Sequence, residues 1–544
     1  MTENKSKNMA SVRKYHLMNK DNIVAVFQTC KERLSDGSTQ FELCEVYGKM
    51  PFDSDNFTEW ISDRKAAKHQ KHLKTIMENL GCYDNEGFIN VTHIASINDT
   101  FWAKPADSSL TWNDVSLYRN KFTEIVSQIV FEGLKRHDTI FSSTSPEHSP
   151  ELAVEGSYPK CFRKERQNGE YQSDIFIYKR GHKDNSFEPY CEHMASEIAK
   201  VISPDNSVSY QLVTLHGKRA SRCNLFTDEH YGYAPYFDFV STKKSLTDML
   251  MFFEKLGSGQ EFLEMLLIDA VCFNEDRHAG NYGVLFDNDT MELKKMSPVF
   301  DLNLSFMVDA KTEEFDDIGY YFHQDSHKPR VGADFTELGQ WVLEHDTDNI
   351  FIERLEKLKN FSFSFRGDSI FPEKRVRSIE SAVRKQAEAI LSGKALTIHD
   401  VFPSKKLQAE IEEIQRKRAV MEVIKNQRDD FISFMENQEF DYGNAFQSES
   451  EFSKYMIEDI DYIMTLDFEN GSIIISDFSG KEYSFSELQK ENSEFSGICR
   501  NIVEQLKKFT DILNNDVFRD YLEDAFLQFK EMDCSIKDNN KQAE

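Results

Sequence analysis

Apolar positions fall into short extended runs early in the chain and into helical spacings later. Ile23 to Thr29 and Phe41 to Val46 are two apolar runs joined through Ser35-Asp36-Gly37, which predicts a β-hairpin. The segment Asp107 to Trp112 and a predicted helix from about Asn113 to Leu134 complete an N-terminal domain over residues 1–131. Residues 137–150 are rich in Ser, Thr and Pro without apolar periodicity and read as a loop. Beyond it, Lys160 to Glu165 and Asp174 to Arg180 are strand-like runs separated by a turn at Asn168-Gly169. Met194, Ile198 and Val201 share one face of a predicted helix over Glu188–Ile202, which Ser203-Pro204-Asp205 ends. A further extended stretch is expected at Ser207 to Leu215, and helices at Leu246 to Leu256 and Gln260 to Cys272. Strands first and helices later predict an α+β architecture of two lobes, over residues 132–255 and 256–402. From residue 403 the pattern changes. A charged helical stretch over Lys405–Phe434, an apolar run Ile473–Ile475 and an amphipathic helix near Ile502–Phe518 predict a mostly helical accessory domain over 403–544.

Composition narrows the functional classes. With 544 residues the chain exceeds a single core, and its 44 Phe set against 12 Pro describe globular domains. A net charge of −28 opposes non-specific binding to DNA or RNA through a broad basic surface. The nine cysteines are scattered without a CxxC pair, which fits reduced thiols in a cytoplasm. Met1 to Lys14 is polar, and no segment has the length of an apolar membrane span, so neither export nor membrane insertion is expected.

The stretch most informative about chemistry runs from Asn274 through Asp276, His278 and Asn281 to Gly283, followed by Ser297-Pro298-Val299-Phe300-Asp301. Phosphoryl transfer needs a carboxylate to orient the attacking hydroxyl and oxygen ligands to hold Mg²⁺ against the phosphates. Asp276 is the candidate base, Asn281 one metal ligand and Asp301 the other, returned alongside by a hairpin over Tyr282–Phe286 and Met291–Leu293 that turns at Asn288-Asp289. An Asp-x-x-x-x-Asn loop alone would read as a helix cap; the return of Asp301 turns the balance. Upstream, the small residues of Gly156-Ser157-Tyr158-Pro159-Lys160 suit close approach to phosphate oxygens, although a surface turn fits equally well on local grounds. In Ile175 to Lys179, alternation puts Lys179 on the face of Ile175 and Ile177, where an ammonium would be buried. No Gly-x-Ser-x-Gly, His-Glu-x-x-His or Walker-type motif occurs, and Phe361-Ser362-Phe363-Ser364-Phe365 alternates like a core strand.

Asn274-x-Asp276-x-His278-x-x-Asn281 followed by Pro298-x-Phe300-Asp301 resembles the catalytic and metal-binding signature of HipA-like serine/threonine kinases, by motif over about Gly156 to Asp301. The resemblance implies a two-lobed protein-kinase-like fold and Mg²⁺ and ATP as cofactors. It implies a phosphate-covering loop at Gly156 and Ser157 with Lys160 as a secondary contact, Lys179 on the ATP phosphates, and a glutamate partner on the next helix. Glu188, Glu192 and Glu197 compete for that place, and Glu192 has the spacing closest to the family helix. His278 would organise the catalytic loop. The implied substrate is a protein with a Ser or Thr acceptor, and the family's bacterial toxins add a small antitoxin as an expected partner. One departure stands out: the position of the family's autophosphorylated serine is Ala153 here, so Ser149, Ser157 or the cluster Ser142–Ser145 would have to replace it. A small-molecule or lipid kinase and a nucleotide-binding module without turnover are the alternative readings.

Overall fold

The strands gather in four sheets, antiparallel throughout among the named strands, and two of these sheets frame one cleft. The computed structural model describes residues 12–33, 37, 39–51, 57–64, 84–132, 158–167, 170–183, 186–240, 242, 244–324, 326–416, 418, 446–448, 454–467 and 472–512. The chain divides into two units, Met1–Ser404 and Lys405–Glu544.

In the first unit, β1 (Lys14–Asn19), β2 (Asn22–Arg33), β3 (Thr39–Val46) and β4 (Phe101–Pro105) pair in the order β3-β2-β1-β4. The two strands of the expected hairpin pair as β2 and β3, while Ser35 and Asp36 of its turn lie outside the described residues. β1 adds a strand that the sequence reading did not contain, burying Tyr15 and Leu17 by alternation and stacking Tyr15 on Phe27 at 5.2 Å. The single helix expected over residues 113–134 is instead two, Trp112–Val115 and Glu124–Glu132. The first of these ends where Ser116 leaves helical geometry (φ −58°, ψ 121°), and beyond it the Asn120 side chain donates to the carbonyls of Asn113 and Ser116 at 2.8 and 3.0 Å.

The second sheet has the order β5-β6-β8-β7, from β5 (Lys160–Gln167), β6 (Glu170–Arg180), β7 (Gln211–Leu215) and β8 (Lys218–Asn224). His216 and Gly217, both with positive φ, make the tight β7–β8 turn. The helix Glu188–Ile202 lies between β6 and β7 in sequence and buries Tyr190, Met194, Ile198 and Ile202 completely. The extended stretch expected from Ser207 becomes regular strand only at Gln211, because Ser207 makes an isolated parallel bridge to Val299.

A third sheet, β11-β10-β9, joins β9 (Tyr231–Pro235), β10 (Gly283–Asp287) and β11 (Leu293–Met296). Gly283 is required there, since a Cβ would lie 2.0 Å from the Ala234 carbonyl oxygen. Helices Leu246–Lys255, Gly259–Cys272, Phe335–His345, Ile350–Leu358 and Glu373–Leu391 complete this lobe. Gly259–Cys272 is its central helix, buried continuously from Phe262 to Cys272. The alternating Phe361 to Phe365 segment contributes Phe363 to the core but is not a strand. Glu380 accepts the Phe363 N–H and Glu197 the Ser364 N–H, at 3.0 and 2.8 Å, taking donors a ladder would need.

The second unit was expected to be mostly helical. It also contains a meander, β12-β13-β14-β15, over Phe446–Ser448, Lys454–Glu458, Tyr462–Asp467 and Ser472–Asp477, followed by helices Phe485–Glu491 and Ser493–Ile512. Ile457, Met464, Leu466, Phe485, Leu488, Phe495, Ile502 and Leu506 are buried in it. The charged helix is seen over residues 405–416; positions 419–434 of that expectation, and 513–518 of the last one, lie outside the described residues. Among the described residues no helix is long and apolar enough to cross a membrane.

Candidate active site

A cleft of about 350 Å³ opens between the second and third sheets. Strand β6 carries Lys179 into it, and alternation buries the neighbouring side chains Tyr178 and Phe176 on the opposite face. The Lys179 Nζ donates to Glu192 Oε1 at 3.3 Å and forms a close ion pair with Asp301. Of the three glutamates on the helix Glu188–Ile202, Glu192 alone meets this lysine: Glu188 accepts the His182 N–H and Glu197 is bonded to Ser364. Ser221 on β8 donates to the other oxygen of Glu192. Burial works against the Lys179 charge, but Asp301 and Glu192 outweigh it and hold its pKa above the ordinary lysine value. Burial likewise opposes the charge of Asp301, yet Lys179 keeps its pKa below the usual carboxylate value; Glu192, more deeply enclosed, is pushed up by burial.

The opposite wall is the loop between the helix Gly259–Cys272 and β10. Phe273 in the left-handed conformation, φ 55°, ends the helix. Asp276, His278 and Asn281 follow, tied to one another locally: the Asn281 Nδ2 donates to the Asp276 carbonyl at 2.9 Å, and the Gly280 N–H donates to His278 Nδ1 at 3.1 Å. The Asn281 amide oxygen is thereby the atom left for ligation. Burial raises the Asp276 pKa above its ordinary 3.8, with Asp301 adding to the rise and His278, Arg330 and Lys179 opposing it. Asp301 itself has φ 56°, a conformation that Asp tolerates better than most residues and that concentrates at functional sites; its N–H donates to the Tyr210 hydroxyl at 3.2 Å.

Lys160 lies opposite Lys179 in the β5–β6 register and also lines the cleft. Asp276, His278, Lys160, Lys179, Glu192, Asn281 and Asp301 are therefore brought to one cavity, while Gly156 and Ser157 lie outside the described residues. Several lining groups escaped the sequence reading. Phe226, Tyr233 and Phe300 form an aromatic cluster with centroids 5.3 to 5.7 Å apart, and Ile97 and Asn98 reach the cleft from the first sheet's region. Only Phe300, inside the Asp301 motif, carried a local signal. Arg277 was missed as well. Fully buried, it pairs with Asp269 through Nε at 2.9 Å and donates from Nη1 to the carbonyls of Asn281 and Phe300 at 2.7 and 2.6 Å.

An antiparallel lobe whose strand lysine pairs with a helix glutamate faces, across one cleft, a helical lobe bearing an Asp/Asn loop and a returning Asp. The fold is kinase-like. No protein-family model matches the chain, and no curated protein does. Among solved structures it is similar to the Helicobacter pylori proinflammatory kinase CtkA, at 15% identity over 43% of this chain and 92% of that one, with a TM-score of 0.33. It is also similar to the Shewanella oneidensis HipA, HipB and operator DNA complex of a toxin–antitoxin system, at 11% identity over 71% of this chain and 100% of that one, with a TM-score of 0.43.

Asn281 and Asp301 are hard oxygen donors, one amide and one carboxylate, a set that suits a Mg²⁺ ion taking its remaining ligands from water and phosphate. Among the described residues no group of three or more His, Cys, Asp or Glu is placed to hold a metal ion by itself.

Proposed function

We propose that the chain is a Mg²⁺-ATP-dependent phosphotransferase acting on a Ser or Thr hydroxyl of a protein. The observation that supports this best is the placement of Lys179, ion-paired to both Glu192 and Asp301, across one cleft from Asp276 and Asn281. In this reading Ile97, Ile177, Phe226 and Phe300 enclose an adenine ring, and Lys179 with Lys160 faces the phosphates. Lys179 then exchanges part of its contact with Asp301 for phosphate oxygen, while Glu192 keeps the ammonium aimed. Asn281 and Asp301 hold Mg²⁺, which neutralises phosphate charge when bound. Asp276 orients the acceptor hydroxyl and takes its proton; burial keeps that carboxylate basic enough for the task. The protein acceptor and an antitoxin partner come from the motif resemblance to HipA-like kinases.

The test is incubation of purified protein with γ-labelled ATP, Mg²⁺ and a cell lysate, followed by identification of the labelled species. Label on Ser or Thr of protein, lost in Asp276→Asn, is the expected result. Label on a small molecule or lipid would move the acceptor class, and absence of any turnover alongside measurable nucleotide binding would favour the non-catalytic module.

A further inference from the structure

The strap from His323 to Val331, between the 301–322 segment and the helix Phe335–His345, carries positive charge onto the rim of an otherwise strongly acidic protein. It holds His323, His327, Lys328 and Arg330, and its one acid, Asp325, lies outside the described residues. His327 fixes the strap to the catalytic loop. Its ring stacks on Tyr321 at 3.6 Å between centroids, and its Nδ1 lies 3.1 Å from each carboxylate oxygen of Glu275, the residue immediately before Asp276. The Tyr321 hydroxyl donates to the same carboxylate at 3.0 Å. His327 thereby ties the strap, through its ring and its Nδ1, to the segment carrying the base.

Three further observations give it a direction. The Arg330 Nε stands 3.8 Å from Asp276 Oδ1 while the side chain is 65% exposed, a loose ion pair that water and salt weaken and an incoming anion can replace. Lys328 is exposed and makes no hydrogen bond or ion pair that the structure records among the described residues. Behind it lies a cavity of about 100 Å³, whose lining includes His323, His327, Lys328 and His399. The carboxylate in that lining, Asp334, is already engaged: it accepts the backbone N–H groups of Thr336, Glu337 and Ile398.

We propose that this strap recognises the substrate of the phosphotransfer site as an acidic peptide, with carboxylate or phosphate groups flanking the acceptor hydroxyl. This rests on the kinase reading above and adds its substrate class. Before binding, Arg330 pairs with the base. An acidic residue of the substrate draws Arg330 and Lys328 to itself, which leaves Asp276 open to the acceptor hydroxyl. A second anion of the substrate fits the histidine-lined cavity. Basic peptides would instead meet a like charge at the approach to Asp276, so the same residues that attract one class reject the other.

The test separates recognition from turnover by using labelled peptides with Ala at the acceptor position, flanked by Glu, by Lys or by neutral residues, in fluorescence anisotropy with the full chain. The Glu peptide should bind most tightly. Lys328→Ala/Arg330→Ala should weaken it by about tenfold and flatten its salt dependence, and Lys328→Glu/Arg330→Glu should reverse the preference toward the Lys peptide. A phosphoserine-flanked version bound at least as tightly as the Glu peptide supports the cavity as an anion seat. Equal binding of the Glu and Lys peptides by the wild-type protein, or undiminished Glu-peptide binding by the double alanine variant, overturns the proposal. Calorimetry of Mg²⁺-ATP on the same preparation reports on the kinase reading independently, so failure of one does not read as failure of the other.

Discussion

Asp276 is held by opposing forces, and its titration should betray them. Burial comes first and raises its pKa; Arg330 is among the groups that pull it back. A base works when deprotonated, so phosphotransfer should fall as pH drops through a value above the ordinary 3.8, and Arg330→Ala should move that acid limb upward in a kcat/KM profile. An unmoved limb would mean that Arg330 does not act on the base. The linkage has a stability side. For an acid with a raised folded pKa, the penalty on folding is present above that pKa and absent below the unfolded value, so Asp276→Asn should raise the melting temperature near neutral pH and lose that advantage in acid. The same variant should reduce phosphotransfer by about a hundredfold or more while Mg²⁺-ATP affinity survives, because both proposed metal ligands remain. Calorimetry and label incorporation on one preparation check both halves. Glu192 shows the limit of residue-level reading: its sequence spacing favoured it over Glu188 and Glu197, but only the burial of its carboxylate between Ser221 and Lys179 separates it from two ordinary glutamates.

Between elements, the geometry of the cleft depends on buried arginines. Arg277 ties the helix Gly259–Cys272, through Asp269, to the backbone at Asn281 and at Phe300, the residue before Asp301. The spacing between the proposed metal ligands thus passes through one guanidinium. Arg277→Lys keeps a charge but cannot reproduce this fork, and a buried carbonyl left without its donor costs about 1–3 kcal/mol. Denaturant unfolding should show a loss of that order, and the Mg²⁺ concentration needed for half-maximal turnover should rise. Unchanged Mg²⁺ dependence in a destabilised variant would leave Arg277 with a structural role only. Arg375, on the helix Glu373–Leu391, does comparable work beyond Asp301, holding the carbonyls of Met307, Val308 and Ala310. Neither arginine had a sequence signal, since a buried arginine and a surface arginine read alike along a helix or loop.

At the scale of the whole molecule, the cleft is not confined to its two lobes. Ile97 and Asn98 belong to the loop before β4; the Ile97 carbonyl accepts the hydroxyls of Tyr118 and Thr227, and the Asn98 carbonyl accepts the Tyr233 N–H at 2.6 Å. The buried pair Arg64–Asp99, 2.6 Å apart, stands beside them. Nucleotide bound in the cleft should therefore slow hydrogen exchange at residues 94–99 as well as at 276–301. At a ligand concentration of 100 times Kd the added stability would be about 2.7 kcal/mol. Protection limited to 276–301 would remove the first sheet's region from the site. Because residues 1–404 form a unit with their own core, a chain ending at Ser404 should keep Mg²⁺-ATP binding.

Along the sequence, alternation and helical spacing were enough to place the β5–β6 hairpin, the helix Glu188–Ile202 and the helix ending at Cys272, because each buries one face whatever it packs against. The Asp276, Asn281 and Asp301 motif was legible for a similar reason, being compact and separated by a single hairpin. Tertiary structure decided the rest. The 113–134 helix broke where Ser116 turns out of helical geometry, and Phe361 to Phe365 lost its strand where Glu197 and Glu380 took the N–H groups. The Ile97 loop, the Phe226 and Tyr233 rings and the Arg330 contact join the site from positions distant in sequence, and a periodic pattern reports which face is buried but not which partner lies across from it.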